Sequence, residues 1–235
     1  MFNNMFALQL LPLAKKELKS VCEIGNQTLN VAPGIKEIFL RDGYDVTKCQ
    51  TVKQFYEVLG FQKYLAIDVN TDKDAIALDL NNVVYDKFNE KFDLVTNNGT
   101  SEHIFNQNSV FTNIHNLCNV GGYMIHVLPC TGWVDHGFYN YNPNMFTAIA
   151  EQNNYNIEWT GFGVTNADII CRANFYDVKE RNPSRKEYVE ILSQMGNDTM
   201  LMAVMQKTND NEFKIPMQKI YSDSIEDQII WKNYR

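Results

Sequence analysis

The chain has 235 residues, of which 45% are hydrophobic and 21% charged, and this suits one compact globular domain with appendages better than two domains. Its formal net charge is −7 and it has no long run of Lys or Arg, which argues against duplex nucleic acid as a partner. The first apolar patch contains Pro12 and runs into Lys15 and Lys16, so it predicts a helix packed on the domain rather than a signal peptide or a membrane span.

The spacing of the cysteines and histidines argues against a metal site. The five cysteines are odd in number, widely spaced and contain no CxxC pair, which predicts reduced thiols, a cytoplasmic setting and no structural zinc. The four histidines show no tight ligand pairing either, so no metal is expected. These residues are Cys22, Cys49, Cys118, Cys130 and Cys171, and His103, His115, His126 and His136.

The first hundred residues alternate short apolar runs with helical patterns. "SVCEIG" predicts a strand, and "GIKEIFLRDG" and "TVKQFYEVLG" predict helices, the second with Thr51 as its N-cap. Three further strands are predicted at "KYLAIDVN", "DAIALDLN" and "KFDLVTNNG".

The remainder of the chain continues the alternation. A long helix is predicted over 101–122, from Ser101 as N-cap to a stop at Gly121-Gly122, followed by the strand "YMIHVLP". Next come a helix at "PNMFTAIAEQN", a strand at "YNIEWTGF", a helix at "SRKEYVEILSQMG", a strand at "TMLMAVMQK" and a closing loop at "EFKIPMQKIY". Strands that are apolar throughout and separated by helices predict a doubly wound α/β fold, with a parallel sheet covered by helices on both faces.

An acid or an amide stands at the end of each of four successive predicted strands. Ligands of open parallel sheets bind beyond these carboxyl ends, so the residues there are candidates for a binding site. Each has an ordinary alternative: an acid can cap a turn, "DLN" can be an Asx-turn and "TNNG" a tight turn. The candidates are Glu23, Gly25, Asn26 and Gln27 after the first strand, Asp68 after the second, Asp79 and Leu80 after the third, and Asn97 and Gly99 after the fourth.

This combination resembles the class I S-adenosylmethionine-dependent methyltransferases. "FDLVTNNGTSEHI" is similar to the fourth-strand motif of that superfamily, which runs into a Glu-His pair, and "LCNVGGYMIHVLP" to the Gly-Gly turn and fifth strand. The resemblance covers roughly 20–207, and 92–129 carries most of its weight. It implies a mostly parallel seven-stranded sheet with the last strand antiparallel, S-adenosylmethionine as methyl donor and S-adenosylhomocysteine as product. It also implies that Asp68 binds ribose hydroxyls and that Asp79 or its neighbours hold the adenine amino group.

The loop after the first strand departs from the usual glycine-rich pattern. Only Gly25 is present, and Gln27 and Thr28 carry bulk where the usual loop has none. A dinucleotide pyrophosphate needs a side-chain-free loop, so this argues against NAD or FAD more than against a donor without phosphates. We predict an atypical loop in which Glu23, the backbone near Gly25 and the amides of Asn26 and Gln27 hold the donor's amino and carboxylate groups.

The link from Gly25 to Asp68 is much longer than a simple strand–helix–strand connection. We expect a single domain over 1–235, with an N-terminal helical extension (1–19), an inserted helical segment (about 36–62) and a C-terminal tail (208–235). The inserted segment is equally consistent with a lid over the acceptor pocket and with padding of the sheet.

The acceptor pocket is expected in the loop "TGWVDHGFYNYNP", because it follows the carboxyl end of a strand. Its flat and polar side chains are Trp133, Asp135, Tyr139, Asn140 and Tyr141, although such a segment also suits a dimer contact. For a hydroxyl acceptor we predict His136 as the base, oriented by Asp135 or another acid, with His103 second. His126 is predicted to lie in the core and His115 on a helix surface.

The predicted function is therefore methyl transfer from S-adenosylmethionine to oxygen or nitrogen of a small-molecule or sugar-containing acceptor, with a homodimer as a possible assembly. The sugar preference rests on resemblance, since "HGFYNYNP" and "FKIPMQKIY" are similar to segments of methyltransferase-like proteins found with glycan assembly. A binding or scaffold protein that has lost the donor is the alternative. A nucleotide-dependent oxidoreductase is disfavoured by the glycine deficit and by the lack of a Tyr-x-x-x-Lys pair in a suitable helix.

Overall fold

A computed structural model describes residues 1–70, 75–88, 90–164, 169–171, 190, 192–193 and 198–218. The predicted helix at "SRKEYVEILSQMG" lies almost wholly outside the described residues, as do 219–235 of the tail. The strands are β1 (Phe2–Asn3), β2 (Ser20–Ile24), β3 (Leu29–Asn30), β4 (Lys63–Asp68), β5 (Ile76–Ala77), β6 (Phe92–Asn98), β7 (Cys118–Thr131), β8 (Asn156–Val164), β9 (Ile169–Cys171) and β10 (Thr199–Gln206). The helices are α1 (Asn4–Ala14), α2 (Pro33–Arg41), α3 (Val52–Val58), α4 (Gln107–Leu117) and α5 (Pro143–Asn153), with 3-10 turns at Tyr85–Lys87 and Ser101–His103.

The main sheet confirms the predicted doubly wound fold. Its described strands follow the order β5-β4-β2-β6-β7-β10-β8-β9. The pairs β5·β4, β4·β2, β2·β6 and β6·β7 are parallel, whereas β10 is antiparallel to both β7 and β8. The last strand is thus antiparallel as predicted, and β9 adds one antiparallel strand at the edge. Since β2 and β6 lie side by side at the centre, their carboxyl ends meet at one rim of the sheet.

A helix is present within the predicted range 101–122, but both of its predicted ends are wrong. Ser101 begins only a 3-10 turn, and α4 starts after Asn106, whose side chain accepts a hydrogen bond from the backbone N–H of Ser109. The helix ends at Leu117, and Gly121-Gly122 lies inside β7 rather than stopping a helix. The N–H of Gly121 donates a hydrogen bond to the carbonyl of Lys207, and the N–H of Lys207 donates to the carbonyl of Gly122. These hydrogen bonds to the segment after β10 take the place of helical ones.

The third predicted strand is much shorter than expected. In "DAIALDLN" only Ile76–Ala77 pair with β4. Asp79 then accepts a hydrogen bond from the backbone N–H of Asn81 at 2.9 Å, which is the Asx-turn that its sequence also allowed.

The prediction that Thr51 caps the N-terminus of a helix is confirmed, because its side chain accepts a hydrogen bond from the N–H of Gln54 at 3.2 Å.

Two apolar cores cover the two faces of the sheet. α4 and α5 pack on one face around Phe111 and Phe146, and α1, α2 and α3 pack on the other around Phe6, Phe39 and Phe55. The inserted segment therefore pads the sheet, and none of its residues lines the cavities described below. In the ranges that the structure describes, no helix is both long and apolar enough to cross a membrane.

Lys207 is a buried cation at the end of β10. Its side chain has no exposed surface, and Nζ donates hydrogen bonds to the carbonyls of His115 (2.8 Å) and Cys118 (3.1 Å) and to the Asp210 carboxylate (2.8 Å). Burial lowers the pKa of Lys207, and its bond to Asp210 opposes that effect. The ammonium group thus joins α4, β7 and the segment after β10.

We expect Lys207→Met to lower the free energy of unfolding by about 1 to 3 kcal/mol, because it leaves buried carbonyls without a donor. Lys91 is the matched control: it pairs with the same Asp210 from a more exposed position, so Lys91→Met should cost about 1 kcal/mol or less. Urea unfolding of both variants measures the difference. Equal losses would show that burial of Lys207 contributes nothing specific.

Candidate functional site

Two adjacent cavities open at the carboxyl rim of the sheet, each of about 540 Å³. Met1, Gly99 and His103 belong to the walls of both. The first cavity lies against the ends of β2, β4, β5 and β6, and seven of the nine predicted donor residues line it: Gly25, Asn26, Gln27, Asp68, Asp79, Leu80 and Gly99. The second cavity lies beside it, towards the loop that follows β7.

Gly25 occupies a position that no side chain fits. Its φ is +88°, and a Cβ placed there would lie 2.1 Å from Oγ1 of Thr100. Thr100 is held in place because its hydroxyl donates to the carbonyl of Ile24 at 2.8 Å, and the N–H of Gly25 donates to the carbonyl of Ile67 at 2.7 Å. The single glycine of the loop is therefore the one that close packing between β2 and β6 requires.

Gln27 lines the first cavity, and its amide oxygen is buried. Its side chain is almost fully buried and its Nε2 lies 3.5 Å from Oγ1 of Thr100, a marginal hydrogen bond. Among the described residues, none provides a hydrogen-bond donor to its Oε1. A buried amide oxygen without a protein donor is costly, so a turn of this side chain that let the oxygen accept a hydrogen bond from a ligand would be favourable.

Glu23 and Asn97 do not line the first cavity but lie behind it. The Glu23 carboxylate accepts hydrogen bonds from the hydroxyl of Tyr64 at 2.8 Å and from the N–H of Gln27 at 3.3 Å. Asn97 donates to Oγ of Ser101 at 2.9 Å and accepts from the N–H of Ser101 at 3.2 Å. In this geometry both side chains support loops of the rim.

Two carboxylates stand in the wall of the first cavity. Asp68 accepts hydrogen bonds from three backbone N–H groups, of which that of Asn26 is 2.7 Å away, so it ties the end of β4 to the Gly25 loop. Asp79 follows the neighbouring strand β5, one residue after Leu78, whose N–H donates to the Asp68 carbonyl. Hydrogen bonds from the backbone and side chain of Asn81 lower the pKa of Asp79. The wall thus offers two carboxylates, from neighbouring strand ends, to a ligand with hydroxyl or amino groups.

The second cavity contains a buried acid beside two histidines. Oε1 of Glu102 lies 3.7 Å from Nε2 of His103 and 3.6 Å from Nε2 of His136. Burial raises the pKa of Glu102 to about 7. The pKa of His103 is lowered mainly by burial and to a smaller extent by the neighbouring His136. Trp133 completes this wall, with its ring centroid 4.8 Å from that of His136.

The remaining residues predicted for the acceptor pocket lie outside its lining. Tyr141 is buried, with its hydroxyl 2.8 Å from Oγ of Ser101 and 2.8 Å from Oε1 of Gln107. The Tyr139 hydroxyl donates to the carbonyl of Phe105 at 2.9 Å. Asp135 and Asn140 are exposed, and neither borders the cavity. Of the five predicted residues, the structure brings only Trp133 to the cavity wall.

The other two histidines are structural. His126 is buried against Asn97, as predicted, and burial lowers its pKa to about 3. The surface position predicted for His115 is wrong, because the ring is buried between the hydroxyl of Tyr155 and the carbonyl of Asn211. Burial lowers the pKa of His115 to about 4.

Three residues that line the cavities were not among the predicted site residues: Asn81, Thr100 and Glu102. Asn81 and Thr100 stand beside predicted residues in "DLN" and "TNNGT", and both line the first cavity. Glu102 adjoins His103, but a helix beginning at Ser101 gave no reason to expect a buried carboxylate there. The 3-10 turn turns this side chain inward, where it has no exposed surface.

The close packing at Gly25 can be tested against a second glycine. Gly43 has a similar φ of +96°, but a Cβ there would meet nothing within 4 Å. Gly43→Ala should therefore lower the free energy of unfolding by about 1 to 2 kcal/mol through backbone strain alone. Gly25→Ala should cost a further ~1 to 3 kcal/mol because of the overlap with Thr100. Equal losses in chemical denaturation would contradict the crowded geometry.

The fold is shared by solved methyltransferase structures. The N-methyltransferase NodS from Bradyrhizobium japonicum WM9, crystallised with S-adenosylhomocysteine, is 12% identical, with a TM-score of 0.51 over 88% of this chain and 86% of that one. The O-methyltransferase of a trans-AT polyketide synthase multienzyme from Brevibacillus brevis, also with S-adenosylhomocysteine, is 12% identical, with a TM-score of 0.53 over 89% of this chain and 73% of that one. At this identity the likeness establishes the fold.

The family is established by sequence. No curated protein matches the chain significantly. The model of the family described as "Methyltransferase domain" matches residues 5–180, which include the Gly25 loop, both cavity-wall acids and the loop after β7. The chain therefore belongs to the methyltransferase domain family, and it has the class I methyltransferase fold.

Proposed function

We propose that the protein transfers a methyl group from S-adenosylmethionine, bound in the first cavity, to a small-molecule or sugar-containing acceptor in the second. The observation that carries this proposal is the pair of adjoining cavities that share Gly99 and His103 at the rim of the sheet. Two ligands placed there would meet at the shared wall, and this arrangement suits a direct group transfer. The preference for a sugar rests on the resemblance of the loop after β7 and of the tail.

The first cavity has suitable chemistry for the donor. Its volume of about 540 Å³ falls within the range of small-ligand sites. Asp68 and Asp79 provide acceptors for ribose hydroxyls and an adenine amino group, and Oε1 of Gln27 provides one for the donor's ammonium. The donor carries no phosphates, so a loop with one glycine and a bulky amide is compatible with it. An open cavity also favours this function over the scaffold alternative.

The reaction itself requires little covalent chemistry from the protein. An acceptor oxygen or nitrogen loses its proton and bonds to the methyl carbon, while the carbon–sulfur bond breaks and its electron pair returns to sulfur. The products are the methylated acceptor and S-adenosylhomocysteine. Because the sulfonium is already a good leaving group, holding donor and acceptor in line can supply much of the rate. Glu102, His103 and His136 are the groups at the second cavity that can act on the acceptor's proton.

The four cysteines whose side chains are described, namely Cys22, Cys49, Cys118 and Cys130, carry free thiols. Free thiols support a reducing compartment, and the cytoplasm is our proposed place of action.

Calorimetric titration tests the proposal directly. We expect S-adenosylmethionine and S-adenosylhomocysteine to bind with micromolar affinity and NAD not to bind. Binding of NAD instead would favour an oxidoreductase. Failure of both methyl-donor compounds to bind would overturn the proposal and favour a scaffold protein that kept the fold.

Gln27→Ala should weaken S-adenosylhomocysteine binding by about 10-fold, because it removes a buried hydrogen-bond acceptor from the cavity. Gln62→Ala is the control, since Gln62 is an exposed glutamine that precedes β4 and lies outside the cavity. The titrations above give both affinities. An unchanged affinity for Gln27→Ala would remove this side chain from the donor site.

His136→Ala should lower methyl transfer by about 100-fold or more on an acceptor found by screening small molecules and sugars with labelled donor. Donor affinity should remain, because His136 lies outside the first cavity. Full turnover by the variant would exclude His136 from the reaction, whereas a loss of donor affinity would indicate a disturbed fold.

A further inference from the structure

Three side chains of metal-ligand type converge at the second cavity. Glu102 and His103 lie on the 3-10 turn after β6, and His136 lies in the loop after β7. One ligand atom from each residue lies within 4.8 Å of those of the others. The sequence predicts no metal site because these residues belong to two separate segments, and only the fold brings them together.

The Glu102 carboxylate is the most informative member of the group. It has no exposed surface, and within the described part of the chain no other residue donates a hydrogen bond to either of its oxygens. Burial raises the pKa of Glu102, and its own backbone N–H and the charged N-terminus oppose that effect. Its contacts to His103 and His136, at 3.7 and 3.6 Å, are too long for hydrogen bonds. Burial of a carboxylate that receives no hydrogen bond from another residue is unfavourable, and a cation bound directly to it would offset that cost.

The backbone holds the two segments together independently of the side chains. The carbonyl of Glu102 accepts hydrogen bonds from the N–H groups of Phe138 (2.8 Å) and Tyr139 (3.3 Å). Gly137 passes close by, where a Cβ would lie 2.9 Å from that carbonyl oxygen. These contacts fix the loop against the turn, so His136 is kept beside Glu102 rather than reaching it by chance.

We propose that Glu102, His103 and His136 bind a divalent transition-metal ion in the wall of the second cavity. Two imidazoles and one carboxylate favour ions such as Mn²⁺, Fe²⁺, Co²⁺ or Zn²⁺ over Mg²⁺ and Ca²⁺, which prefer oxygen ligands. Three protein ligands leave further coordination positions open on the cavity side. Both histidines retain exposed surface and so can adjust towards the ion.

The role of the ion rests on the proposed function, whereas its binding does not. An ion in this wall would attract an acceptor oxygen and make its hydroxyl more acidic. A histidine nitrogen that binds a cation cannot accept a proton at the same time. With the ion bound, the histidines therefore act as ligands and the acceptor's proton passes to solvent.

The test begins with the purified chain, which is treated with a chelator and then titrated with Mn²⁺ alone. Binding is measured by electron paramagnetic resonance as the loss of the signal of free Mn²⁺. Mn²⁺ has a lower affinity for thiols than Zn²⁺, so the free cysteines interfere little. We expect one ion per chain. Glu102→Gln should weaken binding by about 10-fold or more, and so should His103→Ala and His136→Ala.

Asp135→Asn is the matched control, because Asp135 is an exposed acid beside His136 but outside the cluster, and asparagine tolerates its φ of +61°. It should bind Mn²⁺ as the unmodified chain does. Glu102→Gln should still bind S-adenosylhomocysteine, since Glu102 does not line the first cavity, and this shows that the variant is folded.

Absence of Mn²⁺ binding at millimolar concentrations, or binding that Glu102→Gln leaves unchanged, would overturn the assignment and leave the histidines as proton acceptors. Failure of S-adenosylhomocysteine to bind, with Mn²⁺ binding intact and dependent on Glu102, would instead overturn the proposed function and preserve the metal site. The two proposals can therefore fail separately.

Discussion

The hydrogen bond from the Thr100 hydroxyl to the Ile24 carbonyl joins the ends of the two central strands, and the geometry of the rim depends on it. It sets Thr100 directly against Gly25, so only a glycine fits there. Gln27 then lies beside the same hydroxyl with its amide in the cavity. The loop after β2 meets its steric requirement with one glycine, and the neighbouring positions carry side chains.

Much of the fold could be predicted because the central strands are apolar on both faces. Residues such as Val21, Cys22, Leu94 and Val95 alternate between the two cores, and each is buried. That pattern identifies parallel strands covered by helices without any knowledge of their partners. The predictions that failed depended on contacts distant in sequence. Gly121-Gly122 is part of a strand only because Lys207 pairs with it, a partner that local composition does not reveal.

In the candidate site, too, positions along the chain could be predicted, whereas contacts between distant residues could not. Residues immediately after the strands, such as Gly25, Asp68 and Asp79, line the first cavity because topology alone carries them there. Side-chain direction was less predictable. The Glu23 carboxylate contacts the hydroxyl of Tyr64, and the Tyr141 hydroxyl lies in the core beside Ser101. Both residues were predicted to line a binding site, and neither does. Glu102 was missed for the opposite reason, since a short 3-10 turn brings an apparently ordinary helix-start acid into the interior.

The inserted segment supports the sheet but takes no part in the cavities, so the stability of the fold and the lining of the cavities depend on different parts of the chain. Phe39, Phe55 and Tyr56 are fully buried in the core opposite α4 and α5, and 36–62 makes no part of either cavity wall. Sequence divergence in this stretch would alter how firmly the sheet is supported while leaving the lining of both cavities unchanged. For protein engineering, the two regions therefore offer separate routes: the padding helices for thermal stability, and the loop of Trp133 and His136 for changes in the shape of the second cavity.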